Sequence, residues 1–107
     1  MPCLFCTLIE KKEPPLLFES DQVVAFHDIH PVAPVHLLII PKKHIATLND
    51  TTPEDSPLLA EMVQTAKTLA AAHHIADTGY RTLMNCNADG GQEIYHIHLH
   101  LIGGKPL

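Results

Sequence analysis

No basic run in this chain exceeds Lys42-Lys43, and no stretch reaches the roughly 18–20 apolar residues of a membrane-spanning helix. Seven basic against twelve acidic side chains leave a net charge of -5 and a pI near 5.9. That balance argues against nonspecific attachment to nucleic acid or to an anionic membrane, though not against one small anion held by local donors. Cysteine is scarce: three residues, an odd count that does not suit a disulfide framework. The opening Met1-Pro2-Cys3-Leu4-Phe5-Cys6 has neither a basic n-region nor a long apolar stretch, so no secretory signal is expected. Linkers, internal repeats and low-complexity tracts are also missing. What remains, 46% apolar and 18% charged among 107 residues, predicts one cytoplasmic domain, 1–107, around one core.

Cys3 to Lys12 reads as a short helix that Pro14-Pro15 ends. Leu16–Glu19 and Gln22–Asp28, the latter running to about Ile29, read as strands with a turn at Ser20-Asp21. Pro31 and Pro34 make a rigid connection to the apolar strand His36–Ile40, which Pro41 closes. So continuous an apolar run calls for cover on both faces. Leu58, Met62, Ala66, Leu69 and His73 recur at helical spacing, with Leu59, Val63 and Ala70 widening the apolar side, and define one long helix. Thr52-Pro53 and Ser56-Pro57 both offer an N-cap before a proline, and Gly79 offers a stop. Tyr80–Asn85 predicts a further strand and Asn87–Gly91 a turn. About five strands in runs beside one major helix give an α+β class with an antiparallel sheet.

The last strand carries the chemistry. His96-Ile97-His98-Leu99-His100-Leu101-Ile102 sets three imidazoles at two-residue spacing, so an extended chain shows them on one face and buries the apolar residues on the other. Imidazole titrates near neutrality and can act as nucleophile, proton carrier or metal ligand. Two histidines at this spacing also open the cupin metal motif, but the glutamate that motif needs is replaced by Ile102 or Gly103. Nucleophilic attack on phosphorus suits the spacing better, with neighbouring imidazoles shielding charge on the phosphoryl oxygens. A phosphoramidate on histidine requires no metal, and no catalytic cofactor is expected.

His96 to Ile102 is the pattern of the histidine triad superfamily. Phe26-His27-Asp28-Ile29, Pro34-Val35-His36, Pro41-Lys42-Lys43-His44, Asn85 and Gly90-Gly91-Gln92 with Tyr95 extend the likeness to nearly the whole chain. The sequence resembles the Hint branch, of bacterial type. The resemblance implies a purine nucleoside phosphoramidase that releases AMP or GMP from a nucleoside 5′-monophosphate amidate, and a homodimer whose sheets join. It implies His98 as nucleophile, His100 on the phosphate, His36 as a relay that orients His98, and His96 at the leaving group or supporting the row. Asn85 and Gln92 are implied on ribose or phosphate oxygens, Asp28 on the ribose hydroxyls, and Phe26, His27 and Ile29 around the base. Glu93 stands where eukaryotic members have a serine; it is either a general acid for the leaving amine or a solvated turn carboxylate. Dinucleoside polyphosphate hydrolysis, typical of the Fhit branch, and a nucleotide-sensing scaffold remain as alternatives.

Cys3-Leu4-Phe5-Cys6 cannot close a tetrahedral site by itself. Bacterial relatives add the histidine of the Pro-Lys-Lys-His segment and one triad histidine to such a pair. The resemblance therefore implies either a structural zinc on Cys3, Cys6, His44 and His96 or two reduced thiols packing an N-terminal turn. Cys86 reads as an inert strand residue, and His30 has no matched role.

Overall fold

The computed structural model describes residues 3–107. They form helix α1 (Leu4–Lys11), strands β1 (Phe18–Glu19), β2 (Val23–His27) and β3 (Val35–Pro41), helix α2 (Ser56–Ala72), and strands β4 (Tyr80–Leu83) and β5 (Leu99–Gly103). The strands make one antiparallel sheet in the order β1-β2-β3-β5-β4. This is the α+β architecture that the sequence predicts. Among the described residues no helix is long and apolar enough to cross a membrane.

Strand alternation sorts the core into two layers. Val23, Ala25, Leu37, Ile39, Leu99 and Leu101 meet Leu58, Met62, Ala66, Leu69 and Ala70 of α2. Val24, Phe26, Leu38 and Ile40 face the other way and are covered by Phe5 of α1. Both faces of β3 are thus buried, which accounts for its unbroken apolar run. On the α1 side His100 pairs across from Leu38, and His36 lies one pleat further along β3. Val63, expected on the inner side of α2, is 54% exposed, and Thr65 takes the buried position by donating its hydroxyl to the Glu61 carbonyl at 2.8 Å.

Several boundaries differ from the sequence expectation, each for a local reason. β2 stops at His27 because Asp28 turns the chain: its Oδ1 accepts the His30 N–H at 2.8 Å, just before Pro31. β5 starts at Leu99, not at His96. Continuing its register would set Ile97 against Pro41, which has no N–H to give, and Ile97 donates instead to the Ile45 carbonyl at 2.8 Å. His96 and Ile97 therefore stand off the sheet ladder. β4 ends at Leu83, so Asn85 lies in the connection to β5.

Neither proposed N-cap caps α2 itself: its N-cap is Asp55 and Ser56 is its first residue, while Thr52 caps the 3₁₀ turn just before it. Thr52 N–H donates to Asp55 Oδ2 at 2.9 Å over a 3₁₀ turn at Pro53–Asp55, which runs into α2 at Ser56-Pro57. The stop is not Gly79. His74 takes φ 62, its N–H reaches the Ala71 carbonyl at 3.2 Å and the Ile75 N–H reaches the Ala70 carbonyl at 3.0 Å. That is a Schellman closure, completed by the buried Ile75.

Candidate active site

The hydrogen bonds settle which ring nitrogen carries each proton. His36 Nδ1 accepts the Val32 N–H at 3.2 Å, so its proton is on Nε2. From there it donates to His100 Nδ1 at 2.9 Å, with Asp28 Oδ2 also 3.3 Å away. His100 then carries its own proton on Nε2. That atom is buried and, among the described residues, has no hydrogen-bond partner. An orphaned buried donor costs about 1–3 kcal/mol, so its presence marks a place for a ligand acceptor. His98 completes the row: Nδ1–H donates to the main-chain carbonyl of His96 at 2.8 Å, leaving a lone pair on Nε2. The His98 and His100 rings lie 5.0 Å apart between centroids.

Burial sets the charge of His100. Desolvation, aided by the like charges His98 and His36 would carry and opposed by Asp28, pulls His100 down to about 4 from an ordinary 6.5. Neutral imidazole is thus the resting form of His100, and only that form can accept through Nδ1.

His98 and His100 open onto a cavity of about 600 Å³ that Asp28, Asn85 and Glu93 also line. Its walls are apolar: Phe26, Leu38 and Ile94 deep inside, and Ile29, 77% exposed, at the mouth. Leu4, Phe5, Leu8, Thr7 and Lys11 of α1 form one side, and His30 joins the rim. The sequence reading missed these α1 residues. An amphipathic helix says that it packs, not which pocket it completes.

Three of the expected site residues, His27, Gln92 and His96, do not line this cavity. His27 follows Phe26 by one residue on a strand and so points to the opposite face, where its ring meets His73 at 6.1 Å. It does not line the cavity. Gln92 is buried, and its amide is spent internally: Oε1 accepts from the Asn87 N–H at 2.9 Å, and Nε2 donates to Ala46 and Ile94 carbonyls at 2.7 and 3.1 Å. These bonds hold the loop through Gly90-Gly91 and use both Nε2 protons. The His96 ring does not line the cavity, because leaving the ladder lets it turn away, while its carbonyl supports the row at His98.

His96 turns toward the cysteines. Its Nε2–H donates to the Pro41 carbonyl at 2.7 Å, which points the Nδ1 lone pair at a cluster with Cys3, Cys6 and His44. Nδ1 of His96 lies 3.2 Å from His44 Nδ1, 3.3 Å from Cys3 Sγ and 3.6 Å from Cys6 Sγ, and Cys6 Sγ is 3.5 Å from His44 Nδ1. Tetrahedral zinc with ordinary bond lengths requires about 3.3 Å between nitrogens and about 3.5 Å between nitrogen and sulfur. The donor set fits. Burial, with Cys3 beside it, pushes the Cys6 thiol up to about 11, so Cys6 resists ionising unless a cation supplies the opposing charge. The Cys6 N–H, donated to Cys3 Sγ at 3.2 Å, further supports a thiolate there.

Asp28, His36 and His100 also bring donor atoms together. The His36–His100 contact is a hydrogen bond, however, and Asp28 already serves the His30 N–H, so they form a relay.

Comparison with known proteins places this geometry. Residues 2–106 match the family described as scavenger mRNA decapping enzyme C-term binding. A purine nucleoside phosphoramidase of Escherichia coli K12 is 46% identical over 105 residues, 97% of this chain and 88% of that protein. A HIT family hydrolase from Legionella pneumophila Philadelphia 1 superposes with a TM-score of 0.95 at 53% identity, covering 98% of this chain and 95% of the other. A zinc-bound histidine triad family protein from Mycobacterium smegmatis superposes with a TM-score of 0.81 at 31% identity, covering 98% and 76%. With its aligned imidazoles, its sheet and its full-length relatives in agreement, this chain belongs to the histidine triad family.

Proposed function

We propose that this protein is a purine nucleoside phosphoramidase that cleaves the P–N bond of a nucleoside 5′-monophosphate amidate. The observation that carries the reading is the His98 tautomer. With Nδ1–H committed to the His96 carbonyl, the Nε2 lone pair is the free nucleophile at the cavity. That nitrogen bonds to phosphorus as the P–N bond to the amine breaks, and the amine leaves with a proton. Water then cleaves the nucleotidyl-histidine, giving the 5′-monophosphate and restoring His98.

The orphaned His100 Nε2–H supplies the donor for a phosphoryl oxygen, and His36 holds it there. Asp28 uses one lone pair for the His30 N–H and has others for a ribose hydroxyl. Phe26 and Ile29 offer flat apolar contact to a purine, AMP or GMP alike. Asn85 and Glu93 also line the cavity, and the reading gives Asn85 the ribose or phosphate oxygens and Glu93 the leaving amine. The 46% identity to the E. coli phosphoramidase supports this substrate class over dinucleoside polyphosphates.

The reading includes a structural zinc held by Cys3, Cys6, His44 and His96, tying α1 to the loop before β5. It also includes a cytoplasmic homodimer in which the exposed edge strand β4 extends the sheet into a second copy. Sedimentation at micromolar concentration checks the dimer. Amine release from an adenosine phosphoramidate tests the chemistry: His98→Ala should lose at least about a thousandfold in kcat. Equal rates in variant and parent would end the proposal.

A further inference from the structure

The cysteine–histidine tetrad and the nucleophile share two supports. His96 is the first. It gives Nδ1 to the tetrad and its main-chain carbonyl to the His98 Nδ1–H at 2.8 Å. Off the sheet ladder, the plane of that carbonyl is set by the Ile97 N–H bond to the Ile45 carbonyl at 2.8 Å together with the anchoring of the His96 ring. Phe5 is the second. It sits between Cys3 and Cys6 in the first turn of α1, is 3% exposed, and meets the His98 ring edge-on with centroids 5.2 Å apart at 90°. The same ring touches His96 at 6.0 Å and Phe26 at 5.6 Å. Its seat depends on that first turn, whose N-cap is the Cys3 thiol accepting the Cys6 N–H.

A histidine nucleophile must aim one nitrogen within a narrow angle of phosphorus. One hydrogen bond to a carbonyl fixes the tautomer but leaves the ring free to rock about that bond. A flat aromatic edge set perpendicular to the ring removes the rocking. Here both restraints come from residues that the tetrad anchors.

We propose that the Cys3-Cys6-His44-His96 tetrad, in holding its cation, positions the nucleophile: it aims the His98 ring through Phe5 and through the His96 carbonyl. Phe5 is then a positioning residue, and occupancy of the tetrad sets turnover as well as stability. The inference rests on the reading of His98 as nucleophile. A tetrad that merely stapled α1 to the body would affect melting and leave His98 as it is.

The test uses the full chain in three forms: zinc-loaded parent, zinc-loaded Phe5→Leu and chelator-stripped parent, all well below the melting temperature. The readouts are kcat and the exchange rate of the His98 Nδ1 proton by nitrogen-15 NMR. Phe5→Leu should keep its zinc, yet lose at least about tenfold in kcat, with the His98 proton exchanging correspondingly faster. Stripping the parent should reproduce the faster exchange. Unchanged kcat and unchanged exchange in Phe5→Leu would overturn the proposal, whether or not the stripped protein keeps its fold. Turnover by His98→Ala would refute the functional reading instead, and the exchange rates would still judge the coupling.

Discussion

The main-chain carbonyl of His96 accepts the Nδ1 proton of His98 at 2.8 Å, while the His96 ring turns away to Cys3, Cys6 and His44. Two histidines that the sequence sets in one row thus do different work. One leaves its Nε2 free at the cavity; the carbonyl of the other holds its Nδ1 proton from behind.

The relay can be probed at His36. Removing its ring leaves His100 Nδ1 without a donor and frees the His100 ring to turn. His36→Ala should lower kcat by about 10- to 100-fold, the usual effect of losing an orienting partner, with a smaller change in AMP affinity. Steady-state kinetics beside equilibrium binding would show it. A loss confined to binding would contradict the relay.

Gln92 makes the opposite case. Its buried amide satisfies three main-chain groups, so Gln92→Ala should destabilise the fold by about 2–3 kcal/mol, read as a lower urea midpoint. AMP affinity at temperatures where the variant is folded should change little. A large affinity loss with intact stability would return Gln92 to the nucleotide site.

The tetrad predicts metal content. Protein purified without chelators should carry close to one zinc per chain by elemental analysis, and Cys6→Ser should carry less and melt earlier. Less than about a tenth of an equivalent in the parent would leave the site as two packed thiols.

Stability should depend on pH in a definite direction. His100 is held at about 4 in the fold against an ordinary 6.5, so the unfolded chain binds more protons between those values. Stability therefore rises with pH across that window and is lost as pH falls from about 6.5 toward 4. His96 is lowered too, first by burial, and adds in the same sense. Urea midpoints that stay flat from pH 7 to 4.5 would show that neither imidazole is held neutral.

Much of the architecture was legible in the chain. The period of Leu58, Met62, Ala66 and Leu69 announced α2, and the apolar run Leu37–Ile40 announced a strand covered on both faces. Helix ends were harder. Gly79 looks like a stop, yet His74 adopts the left-handed turn, because the burial of Ile75 rewards closing the helix one turn earlier.

Site residues divided along a similar line. His98, His100, His36 and Asp28 meet as the motif implies, since strand pairing carries them to one face. His27 and Gln92 sit away from the cavity, because a neighbour in sequence is not a neighbour across a sheet. The side of the strand to which His27 points, and the carbonyls that claim the Gln92 amide, depend on residues far along the chain.

By itself, then, the sequence determined the elements and the row of imidazoles, because hydrophobic periodicity and two-residue spacing are local properties. Only the tertiary structure decided which nitrogen of each ring is free, how closely the four cysteine and histidine side chains converge and which helix walls the cavity. Those outcomes turn on contacts such as Phe5 with His98 and His96 with Pro41, made between segments that lie far apart until the chain has closed.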